Sequence, residues 1–182
     1  NPRFELADDD LPYVSGHSVS EHLAYCLRTY CPDKTIEQAR QHYFEHSRRE
    51  LEAILRGHGR RDAFQPAPGV KEFLLALKAR GIRIGLVTSG LYEKAYPEIV
   101  AAFEQLGLGD PRDFYDAIIS AGFPLRAGVP GTLGELSSKP HPWLYTEIAR
   151  VGLGIPFEQR GRVIGVEDSG AGVCAIRLAG FA

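Results

Sequence analysis

The sequence has 182 residues, 44% of them hydrophobic, which is enough for one sizeable core or for a core domain with a small appended one. Its formal net charge of -2 and pI near 6.3 give no basic footprint, so we expect neither nucleic acid nor a membrane as a partner. No apolar run approaches the length of a membrane span, and no signal-peptide pattern opens the chain. Three cysteines without a CxxC pair favour reduced thiols and a cytoplasmic location. Nothing in the sequence indicates an oligomeric state.

The first part of the chain predicts two helices followed by a domain junction. Apolar residues recur at helical spacing over residues 18–30, and a capping box of Thr35 and Gln38 opens a second helix that ends near Gly57. Residues 57–68 then have the glycine, proline and charge content of a boundary. We therefore expect one unit over residues 1–65, beginning with an irregular stretch over residues 1–16, and a second over residues 66–182.

Helix and strand patterns alternate beyond the junction, which predicts an α/β fold with a parallel sheet and helices on both faces. Residues 121–138 are rich in glycine and proline and lack periodicity, so we expect an excursion near the site there. The predicted elements are a helix over 70–80 closed by Gly81, a strand over 82–87, a helix starting at Pro97, a strand over 114–119, a helix after Pro142, a buried strand over 163–166 and a last helix carrying Val173, Ile176 and Leu178.

The predicted strand over residues 163–166 runs directly into two acids, Glu167 and Asp168. In an open α/β sheet the carboxyl ends of the strands form the ligand crevice, so adjacent carboxylates there are well placed to hold a hard cation such as Mg²⁺. The alternative is that the two acids only favour the N-terminus of the following helix electrostatically.

Two more groups fall where predicted strands end or helices begin. Thr88 and the backbone N–H groups of Ser89 and Gly90 form a candidate phosphate cradle, and Lys139 supplies a positive charge for phosphate oxygens or for a nucleophilic carboxylate. As a set with the two acids, these residues describe phosphoryl transfer. Taken singly, Thr88 is equally a helix cap and Lys139 a solvated loop lysine.

These residues lie in three stretches that resemble motifs II, III and IV of the haloacid dehalogenase superfamily: IRIGLVTSG, SKPHPWLY and VIGVEDSGAGVCAIRLAG. Their order and separations are similar to those of the subgroup that includes beta-phosphoglucomutase and small sugar-phosphate phosphatases. The resemblance covers residues 68–182 well, and residues 14–65 loosely resemble the helical cap of that subgroup. It implies a Rossmann-like core over residues 66–182 and a small helical cap over residues 1–65.

The resemblance also implies an activity and roles for individual residues. Thr88 would bind the phosphoryl group, Lys139 would stabilise the nucleophile and the transferring phosphate, and Asp168 with Glu167 would hold Mg²⁺. The implied function is a magnesium-dependent phosphatase that acts on a small phosphorylated metabolite through a phosphoaspartyl intermediate. The alternatives are a phosphomutase of the beta-phosphoglucomutase type, a haloacid dehalogenase, which the paired acids argue against because halide displacement needs no metal, and a non-catalytic binding protein of the same fold.

The family's first motif, a strand ending in DxDxT, is not found in the sequence. Asp8 and Asp10 satisfy D-x-D, but Leu11 and Pro12 follow where the family has Gly-Thr. We therefore expect the nucleophilic and acid/base aspartates upstream of Asn1, and the core to be truncated at its C-terminus. In the third motif a Pro-Trp pair replaces the common Pro-Asp.

A competing pattern, H-x-x-E-H, is formed by His42, Glu45 and His46, and it is typical of a zinc-binding helix. The surrounding charges and the lack of a third ligand argue against catalysis by zinc. In the cap interpretation this helix faces the crevice instead. A group of arginines then either meets an anionic substrate or is solvated surface charge: Arg48, Arg49, Arg60 and Arg61.

Overall fold

The computed structural model describes residues 6–15, 17–58, 64–121 and 139–182. Within these ranges no helix is both long enough and apolar enough to span a membrane. The N-terminal part contains a 3₁₀ turn at Asp8–Asp10 and the helices α1 (Leu11–Val14), α2 (Val19–Tyr30) and α3 (Ile36–Leu55). The expectation of an irregular start is therefore wrong for residues 8–14. The predicted excursion over 121–138 lies outside the described residues except for Ala121.

Local capping explains where the two long N-terminal helices begin. Ser18 accepts a hydrogen bond from the backbone N–H of Glu21 at 3.3 Å, and Thr35 accepts one from Gln38 at the same distance. In both cases the third helical residue reaches back to the cap, which completes a capping box. α2 packs on α3, and α3 contacts a later helix over Tyr92–Leu106.

The second part of the chain alternates helices and strands, as predicted. Its elements are α4 (Val70–Ala79), β1 (Gly85–Leu91), α5 (Tyr92–Leu106), α6 (Pro111–Phe114), β2 (Ala117–Ala121), α7 (Trp143–Glu147), a π-helical turn (Ile148–Gly152), a 3₁₀ turn (Phe157–Arg162) and α8 (Gly170–Leu178). β1 and β2 are parallel and pair from Gly85 with Ala117 to Thr88 with Ser120, with an irregularity before Leu91. The described residues thus contain a two-stranded parallel sheet and confirm the α/β class.

α7 lies at the centre of the packing. On one side Trp143 and Leu144 pack with Ile119 of β2, and both Leu144 and Ile119 are fully buried. On the other side Tyr145 packs with α8 and with Phe181 near the C-terminus. A short helix held between the sheet and α8 fixes the direction of the residues that come just before it.

Both strands begin a few residues later than predicted, because Asp116 forms hydrogen bonds with the backbone of Ile84 at the point where the strands would start. Its carboxylate accepts the backbone N–H of Ile84 at 2.7 Å and the Lys78 ammonium at 2.8 Å, and its own N–H donates to the Ile84 carbonyl at 2.9 Å. Phe114 belongs to α6, whose N-cap is Asp110. The ladder therefore begins only at Gly85 and Ala117.

Residues 163–166 are extended but are not a strand of the sheet that the structure describes. Ile164 and Val166 are 75% and 76% exposed, which contradicts the prediction of burial on both faces. Gly165 faces α8 so closely that a Cβ there would lie 2.5 Å from Ile176. The backbone of Ala182 bonds to Val163 and Gly165 in the manner of parallel strands. The segment is thus covered on one face only, with alternate residues outward.

The start of α5 was also predicted incorrectly. Pro97 was expected in the first turn, but the helix begins at Tyr92 and Pro97 lies inside it. Its missing N–H removes one intrahelical hydrogen bond. Tyr92 and Tyr96, one turn apart, stack at 5.0 Å, and Tyr96 donates to Asp110 at 3.1 Å. These contacts hold the first turns of the helix despite the proline.

Candidate active site

A buried ion pair joins two residues that the sequence assigned to separate motifs. The Lys139 ammonium donates to Oε1 of Glu167, and their side chains are only 7% and 8% exposed. Lys139 comes just before α7, whereas Glu167 follows the extended segment that precedes α8. The fold therefore brings together one residue of the predicted phosphate-binding set and one of the predicted metal-binding set.

Glu167 accepts hydrogen bonds on both of its oxygens. Oε1 takes the Lys139 ammonium and the Tyr145 hydroxyl, the latter at 2.7 Å. Oε2 takes the backbone N–H groups of Asp168 and Ser169 at 3.1 and 3.2 Å and the Ser169 hydroxyl at 3.0 Å. A buried carboxylate needs this many donors to remain charged.

These contacts set the ionisation of the pair. Burial by itself raises the pKa of Glu167, but the hydrogen bonds from Lys139 and Tyr145 outweigh it and lower the pKa to about 2. Burial and the hydrogen bond to Glu167 raise the pKa of the Tyr145 phenol. Glu167 is therefore an anion and Tyr145 a neutral donor over the physiological range.

Two features of α8 hold Glu167 in place. Ser169 is the N-cap of the helix, since its hydroxyl accepts the N–H of Gly172 at 3.1 Å. Gly172 leaves room for the carboxyl group, because a Cβ at that position would lie 2.1 Å from Cδ of Glu167. Only glycine permits this approach between the helix and the acid.

Asp168 differs from its neighbour because it is exposed. Among the described residues no group of three or more His, Cys, Asp or Glu side chains is arranged to hold a metal. Mg²⁺ often needs only one or two protein carboxylates, with waters and substrate phosphate completing its shell. Asp168 fits that requirement, whereas the oxygens of Glu167 are already engaged by five hydrogen bonds.

The predicted phosphate cradle lies at the end of β1 and not in a free loop. Oγ1 of Thr88 accepts the N–H of Gly90 at 3.0 Å, so that N–H is not free in this arrangement. Ser89 and Gly90 line a cavity together with residues of α2, α3 and α5. Within the described part of the chain, no hydrogen bond or ion pair links these three residues to Lys139.

Asp10 has a different role from that of the family's first motif. Its buried carboxylate accepts the hydroxyls of Tyr25 and Tyr30, both at 2.5 Å, and the N–H of Ala7 at 2.7 Å. Hydrogen bonds from Tyr25 and Tyr30 lower the pKa of Asp10, and the pKa of Tyr30 rises in turn to about 12. Asp10 thus anchors the start of the chain to α2, while Asp8 is exposed.

The H-x-x-E-H pattern is not assembled into a metal site among the described residues. His42 and His46 are exposed on α3, and Glu45 pairs with Arg49 one turn later. Arg48 is exposed as well. The other two arginines considered for substrate binding, Arg60 and Arg61, lie outside the described residues.

Nothing in the sequence indicated that Tyr145 is a partner of Glu167, although both residues lie within the recognised motifs. Its contact depends on the packing of α7 between the sheet and α8. Lys94, His22 and Tyr43, which line the cavity beside Ser89, were also not identified. Lys94 follows Thr88 by six residues, but no general spacing rule marks a lysine there.

Comparisons with known proteins identify the family. A family model described as a haloacid dehalogenase-like hydrolase matches residues 22–180, and a search of the curated proteins found no match. Among solved structures, the chain is similar to a protein assigned as a beta-phosphoglucomutase from Thermotoga maritima, with 20% identity and a TM-score of 0.52 over 97% of this chain and 67% of that one. This likeness confirms the Rossmann-like α/β fold. Because the family model spans most of the sequence, the chain belongs to the haloacid dehalogenase-like hydrolases.

Proposed function

We propose that the protein is a magnesium-dependent phosphatase that acts on a small phosphorylated metabolite through a phosphoaspartyl intermediate. The observation that carries this proposal is the buried contact between Lys139 and Glu167, which unites two predicted motifs in one site. Membership of a hydrolase family supports catalysis. The nucleophilic aspartate predicted upstream of Asn1, the helical cap over residues 1–65 and the cytoplasmic location stay predictions.

In this proposal each residue has a distinct task. Lys139, held in place by Glu167 and Tyr145, offsets the negative charge that accumulates between a carboxylate nucleophile and the phosphate. Thr88 holds the phosphoryl group with its hydroxyl. Asp168 is the best-placed metal ligand because it is exposed and adjacent to the ion pair. When bound, Mg²⁺ would neutralise charge on the phosphoryl oxygens.

The test is the change Asp168→Asn in the intact protein, compared with Asp33→Asn. Both carboxylates are exposed, but Asp33 lies in the turn between α2 and α3. Phosphate release from a generic aryl phosphate is measured over a range of Mg²⁺ concentrations. We expect Asp168→Asn to abolish turnover with nearly unchanged stability, and Asp33→Asn to behave as wild type. Unchanged activity and magnesium dependence in Asp168→Asn would refute the assignment, and an inactive wild type would refute the function.

A further inference from the structure

A small cavity separates the N-terminal helices from the carboxyl end of β1. Its volume is ≈ 170 Å³, similar to an engineered protein cavity of about 150 Å³ that binds benzene. Ser89 and Gly90 form one wall, and Lys94 of α5, His22 of α2 and Tyr43 of α3 lie around them. A compact chemical group fits this space.

The polar groups of this cavity are mainly hydrogen-bond donors. The Lys94 ammonium donates to the Tyr43 hydroxyl oxygen at 3.3 Å and lies 5.7 Å from the centre of its ring. Because that oxygen already accepts from Lys94, the Tyr43 proton is free to point elsewhere. The Ser89 hydroxyl is a further donor. None of the described lining residues is an aspartate or glutamate.

Lys94 is the dominant positive charge that the described lining residues offer. Burial lowers the pKa of His22, and the charge of Lys94 lowers it further, so the imidazole is neutral near pH 7. Burial raises the pKa of Glu98, and the nearby charge of Lys94 lowers it, so Glu98 is a counter-charge to Lys94 that does not belong to the described lining. His17, also in the lining, lies 4.0 Å from Glu21, which offsets its charge when it is protonated.

We propose that this cavity binds a second anionic group of the substrate through Lys94, Tyr43 and Ser89. The preferred substrates are then compact phosphate monoesters whose other end carries a carboxylate or a second phosphate. This inference rests on the proposed function. Ser89 and Gly90 connect the cavity with the proposed phosphoryl site, because they belong to the predicted phosphate cradle and also line the cavity. In this proposal the rest of a substrate whose phosphoryl group is held at Thr88 extends into the cavity, since Thr88 directly precedes Ser89 in β1.

The first experiment compares three-carbon phosphate monoesters that end in a carboxylate, a second phosphate or a neutral hydroxyl. The variant is Lys94→Gln, and the matched control is Lys34→Gln, which removes the same charge at an exposed position between α2 and α3. We expect Lys94→Gln to lower the ratio of kcat/KM for the anionic over the hydroxyl ester by about tenfold or more. Lys34→Gln should leave the ratio unchanged. Equal ratios in wild type and Lys94→Gln would overturn the inference.

A second experiment separates this site from the proposed reaction. Malonate and methylphosphonate, which present a carboxylate and a phosphonate but contain no phosphate ester bond to hydrolyse, are titrated by calorimetry at fixed ionic strength. Binding of either that weakens about tenfold or more in Lys94→Gln but not in Lys34→Gln supports the site even if no ester is hydrolysed, and the tighter ligand identifies the anion. Failure of wild type to bind either probe, or equal binding by Lys94→Gln, overturns it.

Discussion

Gly172→Ala should destabilise the protein through Glu167 and not through the helix that contains the glycine. The added Cβ would lie 2.1 Å from Cδ and 2.3 Å from Oε2 of Glu167, whereas ordinary contacts begin at 3.4 Å. The carboxyl group must therefore move by at least about 1 Å, or α8 must shift by a similar amount. Either movement weakens the hydrogen bonds from Ser169 and the contact with Lys139.

The magnitude follows from the burial of the pair. Overpacking costs about 1–3 kcal/mol, and complete loss of a buried ion pair costs about 3–5 kcal/mol. Alanine in a helix gains back about 0.5–1 kcal/mol relative to glycine. Since the hydrogen bonds are distorted and not all lost, we expect a net loss of about 2–4 kcal/mol in the free energy of unfolding.

Gly170→Ala provides a matched control in the same helix. No heavy atom lies within 4 Å of a Cβ built at Gly170, so only the backbone effect of the substitution remains there. We expect that variant to be as stable as wild type or more stable by about 0.5–1 kcal/mol.

Guanidinium unfolding measures the difference directly. The fluorescence of Trp143, the only tryptophan and a buried residue of α7, reports on the packing of this helix, which also carries Tyr145. The two glycine variants should differ in their denaturation midpoints with similar slopes. Equal midpoints for Gly172→Ala and Gly170→Ala would show that Glu167 does not lie against α8 as described.

Two further predictions concern the ion pair. Lys139→Met/Glu167→Gln should retain most of the stability of wild type, because no buried charge is left unpaired, yet kcat should fall by about a hundredfold or more; near-normal phosphate release would make Lys139 a purely structural residue. The pKa of Glu167, about 2 when folded against an ordinary 4.5, means that its stabilisation is complete above pH 4.5 and is lost as pH falls toward 2. At about 1.4 kcal/mol per pKa unit this is about 3 kcal/mol. The stability difference between wild type and Glu167→Gln, measured by denaturation, should therefore shrink below pH 4.5; a constant difference would contradict this coupling.

The parts of the fold that the sequence predicts well depend on nearby residues. The cap residues Ser18, Thr35 and Ser169 each bond to a backbone group three residues later. Such contacts form within one turn of chain and need no distant partner, so their sequence signatures are reliable. The positions of α2, α3 and α8 follow from them.

The strands were harder to predict because their bounds depend on residues far away in the sequence. Asp116 bonds to Ile84 and Lys78, more than thirty residues earlier, and this displaces the start of both strands. The apolar run at residues 163–166 indicates burial on two faces, but only the face toward α8 is covered among the described residues. Hydrophobicity alone does not show whether a second covering layer is present.

The site shows the same division between local and distant information. Motif spacing placed Lys139 and Glu167 at the same edge of the fold, and the structure joins them. Motif spacing did not indicate Tyr145. The Tyr145 hydroxyl reaches Glu167 only because α7 is held between two separate clusters of apolar side chains. Nor did motif spacing indicate Lys94, since the cavity depends on the contact between α3 and α5.

The two adjacent acids, Glu167 and Asp168, show which properties of a site a sequence motif predicts and which depend on the fold. As a sequence pair, Glu167 and Asp168 are both candidate metal ligands. In the extended segment that leads to them, alternate side chains face opposite sides, so one acid enters the core with Val163 and Gly165 while the next one is exposed. Glu167 is consequently held by five donors, and Asp168 is accessible to solvent. Charge removal at Glu167 should therefore act mainly on stability, and charge removal at Asp168 mainly on the magnesium requirement.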